Sequence, residues 1–193
     1  MAQPTRYKPY LSPLLKKLKR GPAVTLPKDA GLIIAYTCIG KESEIVELGT
    51  GSGFLTVQLA NIAKKVTTYE RREEFAKTAE SNFKKLEMEN IELKLRDAHD
   101  GIDEKNVDLV MIDLPDAEKA AKPAYDSLKE GGFIAAHCLH LEQARLLAVE
   151  CQKYFSDVFM IEGLVREYEI KERGTRPRNI GLMHTAYLVF ARK

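Results

Sequence analysis

Seven residues, Glu47-Leu48-Gly49-Thr50-Gly51-Ser52-Gly53, carry the strongest chemical signal in this chain of 193 residues. They follow a short apolar run, Ile45 to Leu48, and precede a helical pattern from Phe54 to Ala63. Between a strand and its helix, alternating glycines leave bare backbone for a ligand to lie against. A dinucleotide fingerprint needs its third glycine where Phe54 stands, and no phosphate-cradling lysine follows, so neither nicotinamide nor P-loop chemistry fits. Glu70 closes the next apolar run, 21 residues after Gly49, where an acid accepts hydrogen bonds from ribose hydroxyls. Asp97 closes the run after that, and an ionised aspartate, being acceptor-only, suits an adenine amino group. Glycine loop, ribose acid and adenine acid, in this order, suit a nucleoside ligand without a pyrophosphate. S-adenosylmethionine fits, with Glu47 set toward its charged methionine end.

Such residues need alternating strands and helices to position them. Strand patterns cover 45–48, 66–70, 91–96, 107–112 and 133–136. Helical patterns open at Pro27-Lys28-Asp29, at Phe54, over 72–86 and at Leu141, with a weaker one at 117–128 that Pro123 must kink or restart. Lys129-Glu130-Gly131-Gly132 reads as a turn. The chain ends in two long strand patterns, about 156–170 and 181–191, joined by a basic loop, Lys171–Ile180. The expected fold class is α/β, a doubly wound, seven-stranded, mostly parallel sheet with a C-terminal antiparallel pair. Residues 1–22, with prolines at 4, 9, 13 and 22, read as a basic arm, and 23–193 as the domain.

The formal charge of +2 conceals a segregation. Residues 1–28 hold seven basic and no acidic side chains, 29–170 hold 17 and 27, and 171–193 hold six and one. Basic ends around an acidic body raise the question of a nucleic-acid partner. Three cysteines without a CxxC pair argue against a disulfide framework and for a reducing compartment, the cytoplasm. No apolar run reaches a membrane span and no secretory leader is visible. His137-Cys138-Leu139-His140 holds three potential metal ligands in four residues, but nothing completes a tetrahedral set, so no metal is expected.

The order of glycine loop, Glu70 and Asp97 resembles the class I methyltransferases over about residues 23–193. That resemblance implies S-adenosylmethionine as cofactor, held by Glu47, Gly49, Thr50, Gly51, Ser52 and Gly53, by Glu70 and Arg71, by Asp97 and Ala98, and by Asp113. Asp113-Leu114-Pro115 differs from the Asp/Asn-Pro-Pro-aromatic motif of enzymes that methylate exocyclic amino groups. It is similar instead to the archaeal tRNA adenine-N1 methyltransferases that modify the T-loop. Arg20-Gly21-Pro22 with Leu26-Pro27-Lys28-Asp29, and Arg176-Pro177-Arg178 with His184-Thr185-Ala186-Tyr187, resemble further segments of that family. The family carries a β-rich N-terminal domain in whose place about 20 residues stand here, and its tetramers imply a homo-oligomer.

This resemblance implies a catalytic role for Asp113, beside the acceptor ring. It implies a tRNA partner, with Pro115, Arg173, Arg176, Arg178, His184 and Tyr187 as substrate-binding candidates and Tyr168 as a further stacking residue. Two alternatives remain open at this level. One is a small-molecule methyltransferase such as a corrin-ring enzyme, and the other is a non-catalytic RNA-binding partner subunit.

Overall fold

The computed structural model describes residues 10–21, 24–178 and 184–193. Nine strands and six α-helices alternate along these residues. The strands are β1 (Glu44–Leu48), β2 (Lys65–Glu70), β3 (Ile91–Leu95), β4 (Val107–Ile112), β5 (Leu128–Cys138), β6 (Asp157–Glu162), β7 (Tyr168–Lys171), β8 (Gly174–Pro177) and β9 (Tyr187–Arg192). The helices are α1 (Pro13–Lys16), α2 (Pro27–Thr37), α3 (Phe54–Ala60), α4 (Glu73–Lys85), α5 (Ala121–Ser127) and α6 (Leu141–Cys151). Seven strands form one sheet in the order β3-β2-β1-β4-β5-β9-β6. The first five run parallel, and β9 inserts antiparallel between β5 and β6. The expected doubly wound sheet with its antiparallel pair is the fold observed.

The central strands are buried on both faces, as sheets covered by helices on both sides must be. One core layer joins Val46, Leu48, Val110, Ile112 and Ile134 to α5 and α6. The opposite layer joins Ile45, Leu109, Met111 and Phe190 to α2 and α3. α4 carries Glu73 and Glu74 in its first turn and Lys84 and Lys85 in its last, matching charge to the helix dipole. The arm contributes to a third cluster, in which Leu11, Leu15 and Leu18 pack on Phe54, Val57, Ala79 and Phe83.

Three sequence expectations need correction. The turn expected at 129–132 is an irregularity inside β5, where the register with β4 jumps from Val107↔Leu128 to Leu109↔Phe133. The helix over 117–128 begins as a 3₁₀ turn, Ala117–Ala120, before α5, so Pro123 sits near a helix start that tolerates it. The two long C-terminal strands are shorter. β6 stops at Glu162, opposite Tyr187 where β9 begins, and at the next residue, Gly163, a Cβ would meet Leu32 Cδ1 at 2.3 Å while the carbonyl accepts from Lys28 Nζ at 2.6 Å. Beyond it, much of the expected basic loop is a separate two-stranded sheet, β7 and β8. The part of that loop and of the last strand pattern at 179–183 lies outside the described residues.

Candidate active site

The parallel strands all end on one side of the sheet, and the order reverses between β1 and β4. Open α/β sheets bind ligands at that switch point. A cleft of about 340 Å³ opens there, lined by Arg20, Thr25, Glu47, Gly51, Asp113 and His137 among others. A smaller lobe of about 90 Å³ is lined by Glu70, Arg71, Asp97, Ala98, Asp113 and Pro115. Gly49 and Asp113 border both. The fold thus brings together residues spread over more than 60 positions of sequence.

The three glycines of the loop serve different ends. A Cβ at Gly49 (φ +98°) would lie 2.3 Å from the Asp113 carbonyl oxygen, so this glycine lets the ends of β1 and β4 touch. A Cβ at Gly53 (φ +79°) would strike the Phe83 ring at 2.5 Å, so this one seats α3 against α4. Gly53 does not line either lobe. Gly51 lines the larger lobe and faces open space, so no packing contact requires a glycine there. Beside it, the buried Ser52 hydroxyl has no hydrogen-bond partner among the described residues. Asn82 braces the loop from α4, donating to the Ser52 carbonyl at 2.8 Å and exchanging hydrogen bonds with the Lys19 backbone of the arm.

Glu47 is 1% exposed. Thr56 and Thr68 donate to its Oε2 at 2.5 and 2.7 Å. Since Thr68 spends its proton on Glu47, its oxygen accepts from Thr50 at 2.7 Å. Burial pushes the Glu47 carboxyl up to about 8, despite these hydroxyls, because an ion in a dry site loses its hydration. Asp113 and Glu70 push it the same way.

Glu70 is also buried, with its carboxylate accepting from the Gly51 amide at 2.9 Å and from Arg72 N and Nε at 3.0 and 3.1 Å. It ties the tip of the glycine loop to the end of β2. Asp97 caps a 3₁₀ turn, Ala98–Asp100, by accepting from the His99 amide at 3.0 Å, and its other oxygen pairs with Arg71 at 3.2 Å. The His99 amide, then Arg71, holds its carboxyl below the usual range. Across the smaller lobe, Lys119 and His99 bring the Asp116 carboxyl down to about 2. His99 Nε2 lies 2.9 Å from Asp116, joining the segments after β3 and β4.

Asp113 is held by its backbone, its amide donating to Leu48 O at 2.8 Å. Its side chain is 40% exposed, and among the described residues no donor lies within hydrogen-bonding distance of the carboxylate. His137 Nδ1 comes nearest, at 3.8 Å.

The basic substrate candidates are placed elsewhere. Arg173 and Arg176 border a hollow of the β7–β8 hairpin, away from the cleft lining. Arg176 pairs with Glu169 at 3.0 Å and Arg178 with Glu167 at 2.6 Å, so their charges are matched within the hairpin. His184 and Tyr187 are in ring contact, centroids 4.5 Å apart, and His184 Nδ1 is 2.6 Å from Glu162. Tyr168 is exposed on β7. Pro115 alone of the six borders the cleft.

Sequence reasoning missed four supporting residues. Asn82 and Thr185 look like ordinary polar residues until the fold closes. Asp29 is fully buried, accepting from Lys28 at 2.7 Å and from Thr185 at 2.7 Å, which pins the start of α2 to the segment before β9. The quoted Pro27-Lys28-Asp29 and His184-Thr185-Ala186 segments are thus two halves of one contact. His137 was noticed only for metal binding. In the fold it lines the cleft while Cys138 is buried in the core, so the two do not converge.

Residues 17–183 match the family described as tRNA methyltransferase complex GCD14 subunit. The chain is 34% identical to the tRNA (adenine(57)-N(1)/adenine(58)-N(1))-methyltransferase TrmI of Methanocaldococcus jannaschii, over 95% of this chain and 76% of the relative. Among solved structures, tRNA (m1A58) methyltransferase TrmI from Aquifex aeolicus superposes with a TM-score of 0.88 at 30% identity, covering 97% of this chain and 77% of that one. A SAM-dependent O-methyltransferase from Thermotoga maritima gives a TM-score of 0.88 at 34% identity, covering 94% and 71%. A cleft at the switch point, an open Gly51 and a Ser52 hydroxyl unpartnered among the described residues fit S-adenosylmethionine, the cofactor of this fold. With its match spanning residues 17–183, the chain belongs to the GCD14 family of S-adenosylmethionine-dependent tRNA methyltransferases.

Proposed function

We propose that the chain transfers a methyl group to N1 of an adenosine in the T-loop of tRNA, with Asp113 as the catalytic residue. The observation that carries this reading is the position of Asp113. Its backbone is fixed against Gly49 and Leu48, while its carboxylate stands without a donor where the two lobes meet.

Bound S-adenosylmethionine supplies an electrophilic methyl. Glu70 offers the remaining lone pairs of its carboxylate to the ribose hydroxyls, and Asp97, with Arg71 and Ala98 beside it, meets the adenine. Gly49, Thr50, Gly51 and Ser52 form the floor, and Gly53 acts through packing. Glu47 faces the ammonium of the methionine end, a partner that favours its ionised form. Adenine N1 has an in-plane lone pair and no proton to remove, so a strong base is unnecessary. Methylation makes the ring cationic, and a carboxylate already in place stabilises that charge without reorganising.

A T-loop adenosine must be splayed out to reach the cleft. Tyr187, His184 or Tyr168 would stack on it near the Pro115 rim, Arg176 and Arg178 would exchange their carboxylate partners for phosphates, and Arg173 would add a third phosphate contact. The division into an arm, 1–22, and a domain, 23–193, is supported by the prolines and by α1 packing as an added cluster on α3 and α4. Exposed Leu146 and Val149 on α6, with Met160 on the edge strand β6, support a homo-oligomer, which light scattering would measure. The three free cysteines suit the cytoplasm.

Nucleoside mass spectrometry on tRNA treated with protein and donor tests the reading. It should show 1-methyladenosine, and Asp113→Asn should lower turnover about 100-fold while leaving donor binding within a few-fold. Methylation of a corrinoid with unlabelled tRNA would favour a small-molecule enzyme. Donor binding with no methyl transfer at all would favour a partner subunit.

A further inference from the structure

His137 is the second-last residue of β5, only 8% exposed, and its buried Nδ1 has no hydrogen-bond partner among the described residues. Ile112 on β4 pairs with Ala136 on β5, so Asp113 and His137 leave neighbouring strands at the same level. Nδ1 stands 3.8 Å from Asp113 Oδ1. That is too long for a hydrogen bond. The ring is held by its surroundings, whereas the half-exposed carboxylate is free to turn toward it.

We propose that His137 is the positioning residue of Asp113. When the cleft is filled, its Nδ1–H donates to the carboxylate and fixes the orientation in which the other oxygen faces the base. The inference rests on Asp113 acting as proposed above. A buried ring nitrogen with no partner is costly, and pairing with Asp113 is the remedy the geometry offers. The surrounding charges keep a proton available. Burial disfavours the imidazolium, yet Asp113 from β4, helped by Asp29 and opposed by Lys28 on α2, raises the His137 pKa above its ordinary value.

Two substitutions separate the roles. His137→Phe keeps a ring and removes the donor, while His137→Asn puts an amide N–H near the Nδ1 position. His137→Phe should lower kcat about tenfold or more, with KM for tRNA and Kd for S-adenosylmethionine within about threefold, and His137→Asn should recover most of that loss. In an Asp113→Asn background, His137→Phe should add no further loss. The positioning role is overturned by a His137→Phe enzyme within twofold of wild type. It is equally overturned by an Asn variant as slow as the Phe variant, or by a full additional loss in the Asp113→Asn background. Asp113→Asn turning over at the wild-type rate would remove the Asp113 reading itself, and the inference with it. Should His137→Phe not fold, NMR titration of the imidazole decides. In Asp113→Asn it should fall below its wild-type pKa, and an unchanged titration overturns the proposal.

Discussion

The cleft and the β7–β8 hairpin are built on opposite terms. In the cleft, the acids Glu47 and Glu70 are buried, and each meets donors from other elements of the fold. In the hairpin, every residue of β8 is exposed, and the ion pairs join residues 7 and 11 positions apart. The cleft is therefore braced across the fold and rigidly packed at Gly49 and Gly53, where an added atom has no room. The hairpin is held by exposed pairs, each worth about 0–1 kcal/mol, which a polyanion can replace. One region is closed by buried contacts between elements and the other by exposed local pairs.

Substitutions inside the glycine loop test that rigidity most severely. Gly49→Ala puts a methyl 2.3 Å from the Asp113 carbonyl and should weaken donor binding more than about 100-fold by calorimetry. Gly51→Ala meets nothing within 4 Å and should cost about 1 kcal/mol of stability through its φ of +55°. Equal effects would mean that the loop is not pinned against β4. At the hairpin, replacing Arg173, Arg176 and Arg178 together with alanine should raise the tRNA KM about tenfold and flatten its salt dependence, while donor binding stays unchanged. A steep remaining salt slope would move the RNA surface elsewhere, toward the basic arm.

A further effect of the buried site is read as stability against pH. Glu47 is protonated up to about 8 in the folded protein and only to the ordinary carboxylate value, 4.5, when unfolded. Between those values the folded state binds the extra proton, so stability falls as pH rises from about 4.5 to 8 and levels off above. The slope is on the order of one kcal/mol per pH unit, measured by urea unfolding at fixed temperature. Glu47→Gln should remove it, and saturating donor should reduce it by favouring the ionised form.

Much of the site was legible because strand ends carry chemistry in a regular order. Glu47, Glu70, Asp97 and Asp113 each stand at or within two residues of the end of a parallel strand, so periodicity alone located them. Asn82, Asp29 and Thr185 were not legible. Asn82 reaches partners 30 and 63 residues away and Thr185 reaches Asp29 across 156, and no local pattern marks a polar side chain that will be buried by a distant segment. The hairpin was misread for a related reason. Residues 156–170 have strand character throughout, but the sheet ends where Gly163 meets Leu32, a packing event that strand propensity does not contain.

By itself, the sequence determined the alternation of strands and helices, the sheet class, the glycine loop and the acids that close its strands. These follow from side-chain periodicity and from backbone freedom at glycine, which act over a few residues. The tertiary structure alone decided that Gly49 and Gly53 serve packing while Gly51 faces the ligand space, that Asp113 and His137 share a level of the sheet, and that two of the three hairpin arginines are already paired. Those are facts of register and close approach. They depend on which distant atoms come within about 4 Å, and only the folded chain sets that distance.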